Sequence, residues 1–249
     1  MSIMDAFEYD KMYRLEETNW WYAGRRDAVL KIGASIYKDT FESLRILDAG
    51  CGTGINLESL QNNSNAYGLD ISKDALKFSK IRGLQSLVCG SVIMLPFRDE
   101  IFDLVFALDV IEHVDEDRAA IRELYRILKP DGRLIITVPA FQFLWSEHDQ
   151  AHHHRRRYTR SALINILQLG GFENEKATYW NSILFLPVSA VRLLKRSQLS
   201  AKGSRRTDLE DLPSFLNRLL MGLLMLENRI LERFDLPFGI SVICLCRKV

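Results

Sequence analysis

The apolar run Arg45–Ala49 (RILDA) leads straight into Gly50-Cys51-Gly52-Thr53-Gly54, and a helical pattern begins at Ile55. A buried strand that turns at once into a helix needs close backbone approaches that a Cβ obstructs, and glycine permits them. The next apolar run, Asn65–Asp70 (NAYGLD), ends in an acid eighteen residues after Gly52. A carboxylate at that place can accept from both hydroxyls of a ribose. Strand, glycine turn, helix, strand and acid in this order predict an adenosine-type site on an α/β sheet.

The alternation continues through the first half of the 249-residue chain. Ser72 is the expected N-cap of a helix over Lys73–Arg82. Gln85–Cys89 reads as a short third strand and Phe102–Leu108 as a strand buried on both faces. Arg118–Leu128 carries Ile121, Leu124, Tyr125 and Leu128 on one helical stripe, and Lys129-Pro130-Asp131-Gly132 is expected to turn into a strand at Leu134–Val138. A helix over Ser161–Leu169 stops at Gly170-Gly171, and Phe172–Tyr179 and Ile240–Cys246 complete the strands. The fold class is a doubly wound, Rossmann-like α/β sheet of seven mostly parallel strands, the last reversed. One domain is expected: an N-terminal helical lid (1–43), a core (44–180), a helical insertion (181–239) and the final strand (240–248). In the insertion, Leu216, Leu219, Leu220, Leu223, Leu224, Ile230, Leu231 and Phe234 form a broad apolar face on a helix over Leu212–Phe234. Seven Lys or Arg and no acid occur from Lys176 through Thr207.

Composition excludes several classes. Lys plus Arg number 33 against 32 Asp plus Glu, a net charge of +1, so no nucleic-acid partner is expected. Four cysteines without disulfide spacing fit the reduced thiols of a cytoplasmic protein. The first residues do not pattern as a signal peptide, and Ser182–Leu194 is too short to span a bilayer.

The G-x-G-x-G turn differs from the dinucleotide fingerprint G-x-G-x-x-G, because Ile55 stands where its third glycine would fall. Asp48, just before the turn, disfavours a pyrophosphate and suits a ligand carrying a sulfonium and an ammonium. With LDAGCGTG, GLDIS, LPF followed by FDLVFALDVIEHV, and LKPDGRLIITVP, the sequence resembles the class I S-adenosylmethionine-dependent methyltransferases. The resemblance covers roughly Leu44 to Tyr179, with Ile240–Lys248 fitting the reversed strand. It implies S-adenosyl-L-methionine as cofactor, with Gly50, Gly52 and Gly54 along the methionine moiety and Asp70 on the ribose. It further implies Ser91 and Val92 at the adenine and Leu108 and Asp109 as the floor. Ser91 departs from the acid usual in that family.

Two more clusters are candidates. In Asn19–Arg26 (NWWYAGRR), Tyr22 and Arg25 are expected to cover the cofactor, while one of Trp20 and Trp21 packs on the sheet. After the fifth strand, His148 and His152 are candidate proton acceptors, with His113 after the fourth. A metal is not expected there, since consecutive histidines rarely converge on one ion. Arg155, Arg156, Arg157 and Arg160 suit either a substrate anion or a solvated loop. The sequence therefore predicts a methyltransferase acting on an oxygen of a small-molecule acceptor, amphiphilic, lipid-linked or glycan. It would act as monomer or homodimer, with peripheral membrane contact through residues 181–239 or packing of that segment on its own domain. Rival readings are a non-catalytic cofactor-binding sensor or partner subunit, and an NAD-dependent oxidoreductase that the missing third glycine disfavours.

Overall fold

The near-continuous apolar runs of the first half become strands covered on both faces. The computed structural model describes residues 6–37, 43–61, 65–196 and 212–249. Its strands are β1 (Arg45–Ala49), β2 (Asn65–Asp70), β3 (Leu87–Cys89), β4 (Phe102–Leu108), β5 (Leu128–Pro139), β6 (Phe172–Trp180) and β7 (Ser241–Lys248). They form one seven-stranded sheet of order β3-β2-β1-β4-β5-β7-β6. β7 runs antiparallel to β5 and β6, whereas β1 to β5 pair in parallel. The expected Rossmann-like sheet with its reversed last strand is present.

Helices α1 (Ala6–Leu15) and α2 (Trp20–Tyr37) precede the sheet. α3 (Ile55–Gln61), α4 (Lys73–Ile81), α5 (Asp117–Ile127), α6 (Glu147–Ala151) and α7 (Arg160–Leu169) follow successive strands, and α8 (Phe185–Arg196) and α9 (Ser214–Leu231) lie between β6 and β7. Adjacent residues of one strand face opposite cores, as the pleat requires. Leu47, Val105 and Ile136 join one cluster with Leu124 of α5 and Leu163 of α7. Ile46, Leu104, Ile135 and Ile243 join the other with Val29 of α2 and Leu224 of α9. Ser72 caps α4 as its sequence position predicts, accepting from Ala75 N–H at 3.2 Å.

Two expectations are corrected. The helix over 118–128 does not reach a turn at Lys129–Gly132; α5 ends at Ile127 and β5 begins at Leu128. Pro130 has no N–H for a helix or ladder bond. The strand absorbs it with a register shift opposite Phe102 and Leu104 and a left-handed Asp131 (φ +61°).

The second correction concerns α9, which buries only Leu224 and Leu231 of its broad apolar stripe. Leu219, Ile230 and Phe234 are exposed, while Leu224, Glu227, Asn228 and Leu231 point inward. Hydrogen bonding sets this rotation. Glu227 accepts from the backbone N–H groups of Asn181, Ser182 and Ile183 at 2.6 to 3.1 Å. Asn228 accepts from the fully buried Trp180 indole at 2.8 Å and donates to the Gly24 carbonyl at 2.9 Å. Leaving such groups unpaired inside would cost about 1–3 kcal/mol each, comparable to burying one more leucine. Gly24 lets α9 approach α2, since a Cβ there would lie 2.5 Å from Leu224 Cδ1. The later members of the basic run, Lys202, Arg205 and Arg206, lie outside the described residues.

Candidate active site

Strand order reverses between β1 and β4, and in open α/β sheets the crevice at such a switch point receives ligands. β1 delivers Asp48 and Gly50 to this crevice, β2 delivers Asp70, and β4 delivers Leu108 and Asp109. Gly50, Gly52 and Gly54 all have positive φ (+82°, +55° and +95°). A Cβ on Gly50 would lie 2.4 Å from Val110 Cγ2.

Four amide donors of the turn, those of Gly50, Cys51, Gly52 and Gly54, are consumed within the protein. Gly50 and Cys51 N–H donate to the Leu69 carbonyl at 2.7 and 2.9 Å, and Gly54 N–H donates to the Cys51 carbonyl at 3.0 Å. Gly52 N–H donates to Asp70 Oδ2 at 2.9 Å. Phosphate sites on glycine loops depend on free amide donors. This turn instead offers close approach beside carboxylates.

Asp48 is buried, and neither of its oxygens meets a donor. Burial pushes its carboxyl up to about 7, with Arg25 opposing and Asp70 and Glu16 adding to the rise. Each oxygen of Asp70 holds one amide, Gly52 on Oδ2 and Ser72 on Oδ1 at 2.8 Å, which leaves a lone pair on each for a ribose hydroxyl. Burial raises the Asp70 carboxyl too, against those amides.

Arg25 and Asp109, both expected to meet the cofactor, form an ion pair with each other. The Arg25 guanidinium lies 4.6 Å from the Trp21 ring centroid, and its Nε lacks a partner. Tyr22 is buried beside it, and that burial raises its hydroxyl pKa. Both Trp20 and Trp21, not one of them, pack against the core. Asp109 takes a left-handed conformation (φ +56°) and does not cap a helix; its N–H donates to the Thr137 carbonyl at 3.0 Å. Val92 and Leu108 are buried, and Ser91 sits in a tight turn bridged to Met94.

Three residues to which the sequence assigned no role, Glu16, Thr53 and Arg82, tie α1 and the segment after it to the glycine turn. Glu16 accepts from Thr53 Oγ1 at 2.5 Å and from Arg82 at 2.7 Å. Arg82 also donates to the Thr53 carbonyl at 3.0 Å and the Tyr13 carbonyl at 3.2 Å. Both charged side chains are almost wholly buried. No local pattern marks them, because the partners come from distant parts of the chain.

The loop after β5 gathers histidines. His148 and His152 lie tilted to each other with centroids 4.3 Å apart, and His113 meets His154 edge-on at 4.7 Å. Burial lowers all three candidate proton acceptors, and neighbouring histidines add to it: His113 to about 3, His152 to about 4, and His148 well below its ordinary value. The arginines of this loop are largely engaged internally. Arg157 grips Asp149 with two bonds of 2.8 and 2.9 Å, Arg156 pairs with Asp117 at 3.0 Å, and Arg155 lies 3.4 Å from Asp115. The anion-binding expectation for them is replaced by a structural one.

The comparisons with known proteins agree with this geometry. Residues 47–136 match the family described as a methyltransferase domain. The chain matches that family from β1 to β5. Over 160 residues it is 31% identical to the malonyl-acyl-carrier-protein O-methyltransferase of Enterobacter lignolyticus, covering 61% of this chain and 63% of that one. It is 35% identical over 142 residues to an uncharacterized protein of Methanocaldococcus jannaschii (57% and 59% covered). It is 38% identical over 96 residues to the tRNA (carboxymethyluridine(34)-5-O)-methyltransferase of Arabidopsis thaliana (37% and 23% covered). The chain thus spans less than two thirds of the length of each of these curated relatives. A SAM-dependent methyltransferase of Thermotoga maritima shares the fold at 20% identity and a TM-score of 0.60, over 97% of this chain and 95% of that one. The cyclase SpnF shares it at 21% identity and a TM-score of 0.58, over 89% and 80%.

The cofactor that the match to a methyltransferase domain implies is S-adenosylmethionine, and the residues present fit it. A buried carboxyl without a donor, Asp48, stands beside the glycine cradle, where a cationic methionine moiety would compensate it. Asp70 retains the lone pairs a ribose needs. Among the described residues no helix is long and apolar enough to cross a membrane.

Proposed function

We propose that this chain transfers a methyl group from S-adenosylmethionine to an oxygen of a small amphiphilic acceptor, lipid-linked or glycan in nature. The observation that carries the reading is Asp48: a buried acid without a donor, beside a turn that has spent the amides of all three glycines, asks for a cation rather than a phosphate. When bound, the cofactor supplies a methyl on a sulfonium. The acceptor oxygen forms the new C–O bond, the C–S electron pair goes to sulfur, and the acceptor's proton leaves to solvent or a base. The chain's own task is to hold the donor and exclude water while the acceptor is aligned.

Asp48 would face the cationic end, Asp70 the ribose, and Ser91 with Val92 the adenine, over a floor of Leu108 and Asp109. Arg25 and Tyr22 would close the methionine side. A general base works best with a pKa near the working pH. His113, His148 and His152 fall below that range, so we assign them to holding the acceptor in place rather than retaining its proton.

An amphiphilic acceptor is supported by aromatic rings on the acceptor side. Phe141 and Phe143 of the loop after β5 meet Phe185 of α8, which meets Phe238. Arg192 ties α8 to this loop through the Leu144 carbonyl at 2.8 Å. Exposed Leu186, Phe215 and Phe234 would give peripheral contact with a lipid surface. Two curated relatives bear O-methyltransferase names, one for a malonyl-acyl-carrier protein and one for tRNA. The balanced charge favours the small acceptor here.

The test is incubation of the purified chain with methyl-labelled cofactor and fractionated cell extract. Label in a lipid or glycan fraction, as an alkali-stable ether or a labile ester, supports the reading. Label in RNA would refute the acceptor class. Cofactor uptake without transfer to any fraction would point to the sensor reading.

A further inference from the structure

The segments after β4 and β5 together hold a set of side chains that methyl transfer does not by itself require. Ligand atoms of Glu112, His113 and His154 all lie within 4.8 Å of one another. Glu112 is fully buried, and neither carboxylate oxygen meets a hydrogen-bond donor. A buried carboxylate left in that state costs several kcal/mol unless a cation or a proton compensates it. Arg25 and Arg157 are the nearest cations acting on Glu112, yet both are committed to other acids, Asp109 and Asp149.

The histidines come from two places in the sequence. His113 follows Glu112 in a short turn of 3-10 helix after β4. His154 is delivered from the far end of α6 because His153 takes a left-handed conformation (φ +56°) and reverses the chain. Of the three consecutive histidines only His154 joins the set, and His153 is the hinge between His152 and His154.

His154 is also held as metal-binding histidines usually are. Its Nδ1 lies 2.9 Å from Asp149 Oδ1, so a proton there leaves the Nε2 lone pair for an ion. Asp149 is fixed in turn by two bonds from Arg157 and by Ser146 N–H at 2.8 Å. The chain runs on through Arg155, whose N–H donates to the Glu112 carbonyl at 2.7 Å and so locks the two halves together. His148 and His152 stand next to this set, with ring centroids 6.1 and 6.0 Å from that of His154.

We propose that Glu112, His113 and His154 bind one divalent first-row transition-metal ion, with Asp149 orienting His154. Two imidazoles and one carboxylate with an open position form a zinc-type set, which also suits cobalt(II), iron(II) and manganese(II). Zinc ligands sit about 2.0–2.2 Å from the ion, so binding draws the three groups together by small side-chain rotations. Glu112 feels the charges of Asp109 and Arg25, which puts the ion beside the cofactor crevice. There its open position would hold an acceptor oxygen as a Lewis acid. That use rests on the methyl-transfer reading; binding of the ion does not.

The experiment uses the full chain, stripped with a chelator and titrated with zinc(II) by calorimetry and with cobalt(II) by visible absorption. Wild type should bind one ion per chain and give cobalt d–d bands. Glu112→Gln and His154→Ala should each weaken zinc binding at least tenfold and bleach the cobalt spectrum, and Asp149→Asn should weaken it about 10–100-fold. Cys89→Ser, which removes an exposed thiol outside the ligand set, should keep the stoichiometry. Thermal shift with S-adenosylhomocysteine checks that each variant is folded and reports the cofactor reading separately. Failure of wild type to bind either ion, or variants binding as wild type while still taking up S-adenosylhomocysteine, would overturn the proposal.

Discussion

Replacing Gly50 by alanine isolates how tightly the glycine turn is set against the core, because Gly83 offers a matched control. Both glycines have nearly the same φ, +82° and +88°. An L-residue held in the left-handed half of the map costs about 1–2 kcal/mol at either place. Their surroundings differ. A Cβ on Gly83 meets nothing within 4 Å, whereas on Gly50 it lies 2.4 Å from Val110 Cγ2 and 3.3 Å from Cγ1. Val110 is itself buried in the core, so it cannot swing into solvent. Overpacking of this kind adds about 1–3 kcal/mol. Gly83→Ala should therefore cost about 1–2 kcal/mol and Gly50→Ala about 2–5 kcal/mol. At about 2–4 °C per kcal/mol for a chain of this size, the midpoints should fall by about 2–8 °C and 4–20 °C. Urea and thermal melts read the stabilities, and calorimetric titration with S-adenosylhomocysteine reads the site. Gly83→Ala should keep cofactor affinity and Gly50→Ala should lose at least tenfold. The double variant Gly50→Ala/Val110→Ala should lose less stability than the sum of its singles by about 1 kcal/mol or more. Equal destabilisation at the two glycines, or strict additivity with Val110→Ala, would refute the packing argument.

Arg82→Met and Glu16→Gln each strand a buried partner and should cost about 3–5 kcal/mol in urea unfolding, while the double variant costs clearly less than their sum; additive losses would mean that the contact between α1 and the turn is not coupled. The Asp48 carboxyl is raised from 3.8 to about 7, so the folded chain keeps a proton that the unfolded chain releases. Stability should consequently fall as pH rises from about 4 to 7, by on the order of 4 kcal/mol, and then level. Asp48→Asn should flatten that slope. Uptake of S-adenosylmethionine at pH 6 should expel close to one proton, measurable by calorimetry in buffers of different ionisation heat, and heat independent of buffer would contradict the cation assignment. Gly222 lies inside α9 with nothing within 4 Å of an added Cβ, so Gly222→Ala should stabilise the chain by about 0.5–1 kcal/mol. An unchanged or lower melting midpoint would show that α9 is not helical there.

The same sheet carries a cyclase in SpnF and a methyltransferase in the Thermotoga protein, so architecture alone leaves the chemistry open. Function here has to be argued from side chains at the switch point. Asp48 and Glu112 are the informative pair. Both are buried acids whose oxygens meet no donor, and they lie on successive strand ends of the crevice. Folding leaves two places that want positive charge. One suits the cationic cofactor, and the other is the proposed ion site.

Local sequence determined the strands and the cofactor turn, because these depend on nearest neighbours. Arg45–Ala49, Asn65–Asp70 and Phe102–Leu108 were legible residue for residue, since apolar runs bounded by glycine or acid have few other ways to be buried. Asp70 and the three glycines were legible for the same reason, as turn geometry restricts residue type. Tertiary structure alone decided which polar groups satisfy one another. Glu16 with Arg82, Arg25 with Asp109, and Arg157 with Asp149 join residues whose partners no spacing reveals. It also decided the rotation of α9, where hydrogen bonds to Trp180, Gly24 and three backbone amides outweigh a wider leucine stripe. Hydrophobic periodicity reports how much of a helix can be buried, but a buried polar group has to find its partner in three dimensions, and that requirement selects the face.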